Sequence, residues 1–431
     1  MVLRRTMPKA AAAGLLFAVC CLPSASGMAA TTILVEPGGG RLGEALAMAG
    51  PGDTLKLASG VHAGGIVVTQ PGVTLAGEPG AVVDGEGVGR GITLAAPDVT
   101  VRGLTLRNSG TDFTAVDAGV FVDKTGDGAL IEDNRLDGNL FGVYLHGPDN
   151  VVVRGNRITG SQDPRMNERG NGVHLWNSPG SIVEANDIRF GRDGIFVTTS
   201  KHNTFRNNRF RDLRFAVHYM YANDSEISGN ISFGNHIGYA LMYSHRMRIL
   251  NNISDGDRDH GIMFNYANSS QVEGNVVRRG KTKCVFLYNS NKNRLLDNRF
   301  ESCGTGIHFT AGSERNLFSG NAFIDNETQV KYVGTRWLEW SHDGRGNFWS
   351  DNAAFDLNGD GIADAPYKPN DMVDQVVWRH PLAKLLLTSP AVQILRWAQE
   401  QFPALHPGGV IDSAPLMRPP GKVDHDMRGG V

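Results

Sequence analysis

Ser181–Val197 reads SIVEANDIRFGRDGIFV, and Asn203–Tyr219, set 22 residues later, reads NTFRNNRFRDLRFAVHY. In each, an apolar residue (Val183, Phe205) stands three places before an asparagine (Asn186, Asn208). A small residue (Gly194, Ala216) then opens an aliphatic-x-apolar run. The same pattern extends in both directions, with Asn134, Asn156, Asn186, Asn208, Asn230, Asn252, Asn275, Asn298 and Asn321 spaced by 22 or 23 residues apart from one step of 30. The positions three before them are Ile131, Val153, Val183, Phe205, Ile227, Ile249, Val272, Leu295 and Phe318. A fixed period of this size marks a repeat architecture. Short alternating runs with no helical period make each repeat a set of strands, hence an all-β parallel solenoid of about 22–23 residues per coil and roughly eleven to thirteen coils. The recurrent asparagine predicts a ladder in which each amide bonds the coils above and below.

The flanks complete the organisation of the 431 residues. Arg4, Arg5 and Lys9 precede an apolar run from Ala10 to Leu22, and small residues follow, so residues 1–30 read as a secretory signal peptide. The run is too short for a membrane span. Residues 31–55 predict a strand and a helix that caps the first coil, where open edges would invite pairing. Residues 56–333 hold the solenoid. Residues 334–380 form a loop segment, and 381–431 carry amphipathic helices and a tail. Export leaves Cys284 and Cys303, one coil apart, where one bridge is geometrically open. The net charge of −2 gives no bulk attraction to nucleic acid, and 54 glycines indicate many turns.

Alternation assigns faces. The second run recurs as Gly142-Val-Tyr-Leu, Gly172-Val-His-Leu, Gly194-Ile-Phe-Val, Ala216-Val-His-Tyr, Ala240-Leu-Met-Tyr, Gly261-Ile-Met-Phe, Cys284-Val-Phe-Leu and Gly306-Ile-His-Phe. Its aliphatic residues point inward and the residue between them outward. The outward row is then Phe121, Tyr144, His174, Phe196, His218, Met242, Met263, Phe286 and His308, with Trp176, Met220, Ser244, Asn265 and Tyr288 two places on. Leu241 and Tyr243 are expected inside. Adjacent coils lie about 4.8 Å apart, so one metal ion fits between donors on two rungs. Thioether with imidazole selects Cu(I) over hard cations. His218, Met220, Met242 and Met263 are the leading copper candidates, followed by His174, His245, Met247, His260 and His308. His260 shares the parity of inward Ile262 unless the chain bends. Two other readings compete: a Met/aromatic protein interface and packing beneath the C-terminal segment.

In the C-terminal segment, Asp356, Asn358, Asp360, the Ile362 carbonyl and Asp364 occupy positions 1, 3, 5, 7 and 9 of an EF-hand-like calcium loop. Tyr367 stands where the bidentate Glu belongs, and an Asx-rich turn is the competing reading. Leu385, Leu386, Leu395, Trp397 and Phe402 lie in two short helices separated by Pro390, suited to docking on a partner.

The segments NGVHLWNS (171–178), GRDGIFV (191–197), FAVHYMYANDSEISGN (215–230), GYALMYSHRM (238–247) and HGIMFNY (260–266), with the tail from NFWSDNAAFDLNGDGIADAPYK, resemble the NosD family. The resemblance covers nearly all of the mature chain. It implies a right-handed parallel β-helix in the periplasm of a denitrifying bacterium. It further implies an ABC transporter partner made of an ATPase and a membrane permease, a copper-carrying lipoprotein chaperone as donor, and nitrous oxide reductase as client. The implied task is assembly of the reductase's copper–sulfide site, without enzymatic turnover by this component. The ligand candidates rest on strand register alone.

The alternative is a carbohydrate-active lyase or epimerase, because parallel β-helices often carry such sites. Those enzymes need carboxylates, or a base with a neutralising Arg or Ca²⁺, on one outward face. The outward row shows no acid. Asp257, Arg258, Asp259 and His260 could form a catalytic knot, against the simpler reading of a solvated loop, and Trp176, Phe196 and Phe286 could stack on sugars. The expectation is a non-catalytic, exported copper chaperone scaffold.

Overall fold

The computed structural model describes residues 30–402 and 408–420. The signal-peptide reading therefore lies outside the described residues but for Ala30, as does the end of the tail. Three long sheets of 13, 12 and 13 strands form the walls of a right-handed parallel β-helix of about 14 turns. In one coil, Thr204–Arg206 belongs to sheet A, Arg209–Arg211 to sheet B and Phe215–Met220 to sheet C. Each strand pairs in parallel with its equivalent one coil away, as Phe205 with Ile227 and Phe210 with Ser232.

The turn from sheet A to sheet B explains the recurrent asparagine. Asn207 takes a left-handed backbone with φ 56°, and Asn208 behind it turns inward. Its Nδ2 donates to Val183 O at 2.8 Å and to Asn230 Oδ1 at 3.0 Å, while its backbone N–H donates to the same Oδ1 at 2.9 Å. The corner's buried polar groups are thereby satisfied rung by rung. The ladder runs beyond Asn321 to Asn347, whose backbone N–H donates to Asp412 Oδ2 at 2.7 Å. That final step is 26 residues, outside the 22–23-residue period of most other rungs.

The interior is a continuous apolar column, with Phe205, Phe210 and Val217 of one coil fully buried. Helix Arg41–Met48 closes the N-terminal end through buried Leu42 and Ala45. At the other end, Trp340 and Trp349 stack on Phe318 and Phe323 at 3.8 and 4.3 Å. The chain then forms helix Met372–Arg379, a 3₁₀ turn at Pro381–Leu386 and helix Pro390–Gln401. Pro390 initiates the last helix behind a Ser389 cap rather than breaking one. Strand Gly409–Ile411 returns to pair with Trp337–Glu339. No described helix is long and apolar enough to cross a membrane.

Cys284 and Cys303 are bonded, with Cα atoms 5.7 Å apart. Both are buried, Cys284 at the start of the sheet C strand Lys283–Tyr288 and Cys303 in the turn between sheets B and C.

Candidate metal centre

Sheet C carries the outward row, and its shape follows from one small residue per strand. A Cβ on Gly238 would lie 2.5 Å from Gly261 O, so the chain closes on the next coil here only without a side chain. The small residue breaks alternation: the residue before it and the second one after it share the outer side. Phe141 thus meets Tyr144 at 5.2 Å, and Phe215 meets His218 at 4.9 Å. This bend puts His260 outside, against Phe286 at 5.2 Å, despite its parity with Ile262.

Strand pairing corrects the register of one coil. His218 pairs with Ala240, and Ala240 with Met263. Met220 pairs with Met242, and Met242 with Asn265. Met242 therefore belongs to the second row, in the place given to Ser244, which is buried. The sequence GYALMY matches the repeat two ways, and the glycine requirement at 238 decides between them. Tyr239, not Tyr243, fills the interior, its hydroxyl within 3.0 Å of both Asn230 O and Ile253 O, either of which can accept its one hydrogen. Tyr243 is exposed and stacks between Tyr221 at 5.0 Å and Tyr266 at 5.2 Å, a ring ladder at the rim of the face.

Ala240 is thus the low point of the face. It forms an apolar patch with Phe215 and Ile237, separate from the main core, against which Met242 and Met263 pack half-buried. His218, Met220 and His260 border it by register. Met247 is removed from the copper candidates: it is fully buried in the main core. Its column is that of Ser225 and Ser270, two places before inward Ile249, and its N–H donates to Ser270 Oγ at 3.1 Å. His245 sits in the neighbouring turn, bridged to Asn268 and away from the patch. His174 and His308 lie farther along the same face. Phe196 separates His174 from His218 at 4.8 Å from each, and Phe286 stands 5.1 Å from His308.

The outer face also holds an acid that alternation missed. Asp193 is fully buried in the column of Phe215 and Ile237. Arg214 grips it through Nε at 2.8 Å and Nη2 at 2.6 Å, and His218 Nδ1 lies 3.1 Å from its Oδ2. Burial pushes the Asp193 pKa up, but bonds from His218 and Arg214 and the Arg214 charge outweigh it, leaving the net value lowered. The Asp193 column continues through Phe215, Ile237, His260, Lys283 and Thr305, a mixed set with no apolar pattern for the acid to interrupt. His218 is 6% exposed, and its Nε2 is buried without a hydrogen-bond partner.

Burial lowers the pKa of His174 to about 3 and of His308 to about 4, and it also lowers that of His260. These imidazoles are neutral at neutral pH, the state that binds metal. Among the described residues, no three of His, Cys, Asp and Glu are grouped to hold a metal. Methionine sulfur is the further donor this face offers beside its imidazoles, from Met242 and Met263. The donor set around Ala240 fits a soft monovalent ion: thioethers, imidazoles, an unpartnered ring nitrogen and an apolar floor.

In the proposed calcium loop the side chains point back to their own backbone. Asp356 accepts from Gly359 and Gly361, Asn358 from Asp360, Asp360 from Ile362, and Asp364 from Leu357. Tyr367 donates to Asp351 rather than facing the loop. The docking candidates are exposed, with Leu385 at 84% and Trp397 at 60%, and Leu386, Leu395 and Phe402 also open. The last helix folds back on the previous one through Arg396–Asp371 at 3.0 Å.

A long parallel β-helix with a Met/His/aromatic stripe on one wall defines the class: a scaffold with a soft-donor face. Residues 58–166 and 159–354 match the family described as "Periplasmic copper-binding protein (NosD)". The chain belongs to the NosD family. It is 40% identical over 379 residues to the "Probable ABC transporter binding protein NosD" of Stutzerimonas stutzeri, covering 85% of this chain and 87% of that one. The protein of the same name from Pseudomonas aeruginosa is 43% identical over 377 residues, covering 84% and 88%. Among solved structures, the surface adhesin PfbA of Streptococcus pneumoniae aligns with TM-score 0.54 at 11% identity, covering 67% of this chain and 86% of that one. A mannuronic acid-specific family 6 polysaccharide lyase from human gut microbiota aligns with TM-score 0.52 at 13% identity, covering 72% and 87%. These two likenesses concern the fold.

Proposed function

We propose that this protein is a non-catalytic periplasmic scaffold that receives Cu(I) on sheet C and passes it on during assembly of the copper centres of nitrous oxide reductase. Copper is cargo here rather than a resident cofactor. The observation that carries the reading is the Ala240 patch, where Met242 and Met263 pack over an apolar floor beside the unpartnered Nε2 of His218. Thioether and imidazole hold Cu(I) without charge, so little electrostatic work opposes its release to a client.

The partners extend from the names of the relatives, which are called ABC transporter binding proteins. The exposed apolar side chains of the C-terminal helices are the proposed contact with the transporter's membrane permease, which its ATPase would drive. A copper-carrying lipoprotein would load the stripe, and the reductase would dock over it. The Tyr221–Tyr243–Tyr266 rim supplies contact area beside the donors at little entropic cost. A structural Ca²⁺ at Asp356–Asp364 remains a secondary proposal, resting on the spacing of its donors.

The sugar-enzyme reading has less support. Of the residues proposed for a catalytic knot, Asp257 is fully buried and held by Ser232, Ser254 and the Asn235 N–H, which leaves a sugar ring no direct approach to it, and only Asp259 among them stands beside His260, at 3.2 Å. The test is titration of the protein with Cu(I) under reducing conditions. Wild type should bind, and the His218→Ala/Met242→Ala/Met263→Ala protein should bind at least about 100-fold more weakly. Equal affinities would remove the copper role. Depolymerisation or epimerisation of an alginate or pectin panel would favour the enzyme.

A further inference from the structure

Around Asp193, donor and acceptor chemistry bears on where the proton of the neighbouring imidazole sits. An ionised carboxylate only accepts hydrogen bonds, and a guanidinium only donates them. Arg214 fills one side of Asp193 with its two-nitrogen fork. Arg192 Nε stands farther off, 3.8 Å from Oδ2. His218 Nδ1 lies 3.1 Å from Asp193 Oδ2 and 3.5 Å from Arg214 Nη2; the carboxylate is the nearer partner, and its accepting oxygen calls for a hydrogen on Nδ1. A neutral imidazole with its proton on Nδ1 has a bare lone pair on Nε2. That atom is buried and has no hydrogen-bond partner. Two ring contacts fix the imidazole plane: Phe196 at 4.8 Å and 68°, and Phe215 at 4.9 Å and 87°. Turning the ring over means moving both phenyl groups.

We propose that Asp193 is a positioning residue for metal capture: its buried carboxylate fixes His218 with Nδ1–H directed at the acid and Nε2 left as the metal-binding atom. Arg214 holds the carboxylate in the required orientation and offsets the cost of burying its charge. A carboxylate behind a ligating imidazole fixes its tautomer and raises its basicity. The alignment of four coils gives the arrangement its place. Asp193, Phe215 and Ile237 form one column, and His218, Ala240 and Met263 form the next. The acid thus sits behind the imidazole, on the side away from Met263. This inference rests on the copper reading for its purpose, while the tautomer it requires is a property of the metal-free protein.

The experiment uses the full mature chain labelled with ¹⁵N-histidine. Long-range ¹H–¹⁵N spectra give the His218 tautomer, assigned by loss of the signal in His218→Ala. Wild type is expected to show protonated Nδ1 and bare Nε2. In Asp193→Asn the amide can present its NH₂ to the ring, so the Nδ1–H tautomer should be lost. Cu(I) affinity, measured by chelator competition, should fall about 10- to 100-fold. Met263→Ala should weaken Cu(I) binding without changing the tautomer, and adding Asp193→Asn to His218→Ala should cost nothing further. An Nε2–H tautomer in wild type overturns the proposal even if Asp193→Asn does not fold. So does an Asp193→Asn protein that binds Cu(I) like wild type while His218→Ala does not. Equal binding by wild type and His218→Ala removes the copper reading itself, and the metal role of Asp193 with it.

Discussion

Methionines that look alike in the sequence occupy different environments, and substitutions should separate them. Met247 is interior filler, so Met247→Leu should cost less than about 1.5 kcal/mol and leave Cu(I) binding unchanged. Met247→Ala should cost about 2–5 kcal/mol in chemical denaturation, again without changing metal affinity at temperatures where the protein is folded. Met242→Ala and Met263→Ala should do the reverse, weakening Cu(I) binding with little loss of stability. A different residue sets the response to pH. Asp257 is buried at the turn between sheets B and C, accepting from Ser232, Ser254 and the Asn235 N–H at 2.6–2.8 Å. Burial outweighs these bonds and raises its pKa to about 6 from 3.8. A raised native pKa means its contribution is fully present below the unfolded value and lost as pH climbs through about 6. The swing is on the order of 3 kcal/mol. Asp257→Asn keeps an acceptor for Asn235 without the charge, so it should raise the melting temperature at pH 7.5 and flatten the profile between pH 4 and 7. A wild-type melting temperature that does not fall over that interval would contradict this account.

At the scale of the elements, the ladder and the small residue of sheet C determine most of the geometry. Asn230 exchanges bonds with Asn208, Asn252 and Phe205 O, so Asn230→Ala strands buried polar groups in two coils. It should destabilise the fold by about 3 kcal/mol or more, read from denaturant midpoints. The repeat and its ladder were legible because Asn208 and its equivalents satisfy the same buried corner in every coil. The outer face was only partly legible. Strict alternation placed Phe121, Tyr144, His218 and Met263 correctly, but it has no term for the bend at Gly194, Ala216 and Gly261. That bend carries Asp193, Phe215 and His260 to the outside. It also explains the misplaced Met242: without tertiary pairing, Ala240 could pass for the small residue that Gly238 supplies. The Asn347 rung was lost because it follows an irregular step and ends on Asp412, a residue from the returning tail.

At the scale of the whole molecule, the solenoid separates two surfaces. The soft-donor face lies at mid-length on sheet C, while the apolar helices sit at the C-terminal end, near Lys331, the last outward position of that column. Replacing Leu395 and Trp397 by Asp should abolish capture of the transporter's permease without lowering the melting temperature, since both side chains are exposed. Cu(I) affinity should be unchanged in that variant, because the two surfaces share no residue. The central claim, that thioether sulfur and the His218 imidazole hold copper on sheet C, is tested most directly by Cu K-edge X-ray absorption of the Cu(I)-loaded protein. The account predicts a mixed shell, with sulfur at about 2.3 Å and nitrogen at about 2.0 Å, the soft-donor distances known for similar ions. The sulfur contribution should fall in Met242→Ala/Met263→Ala, leaving at most that of Met220. A shell of nitrogen and oxygen alone, or a spectrum unaltered in that double variant, would contradict it.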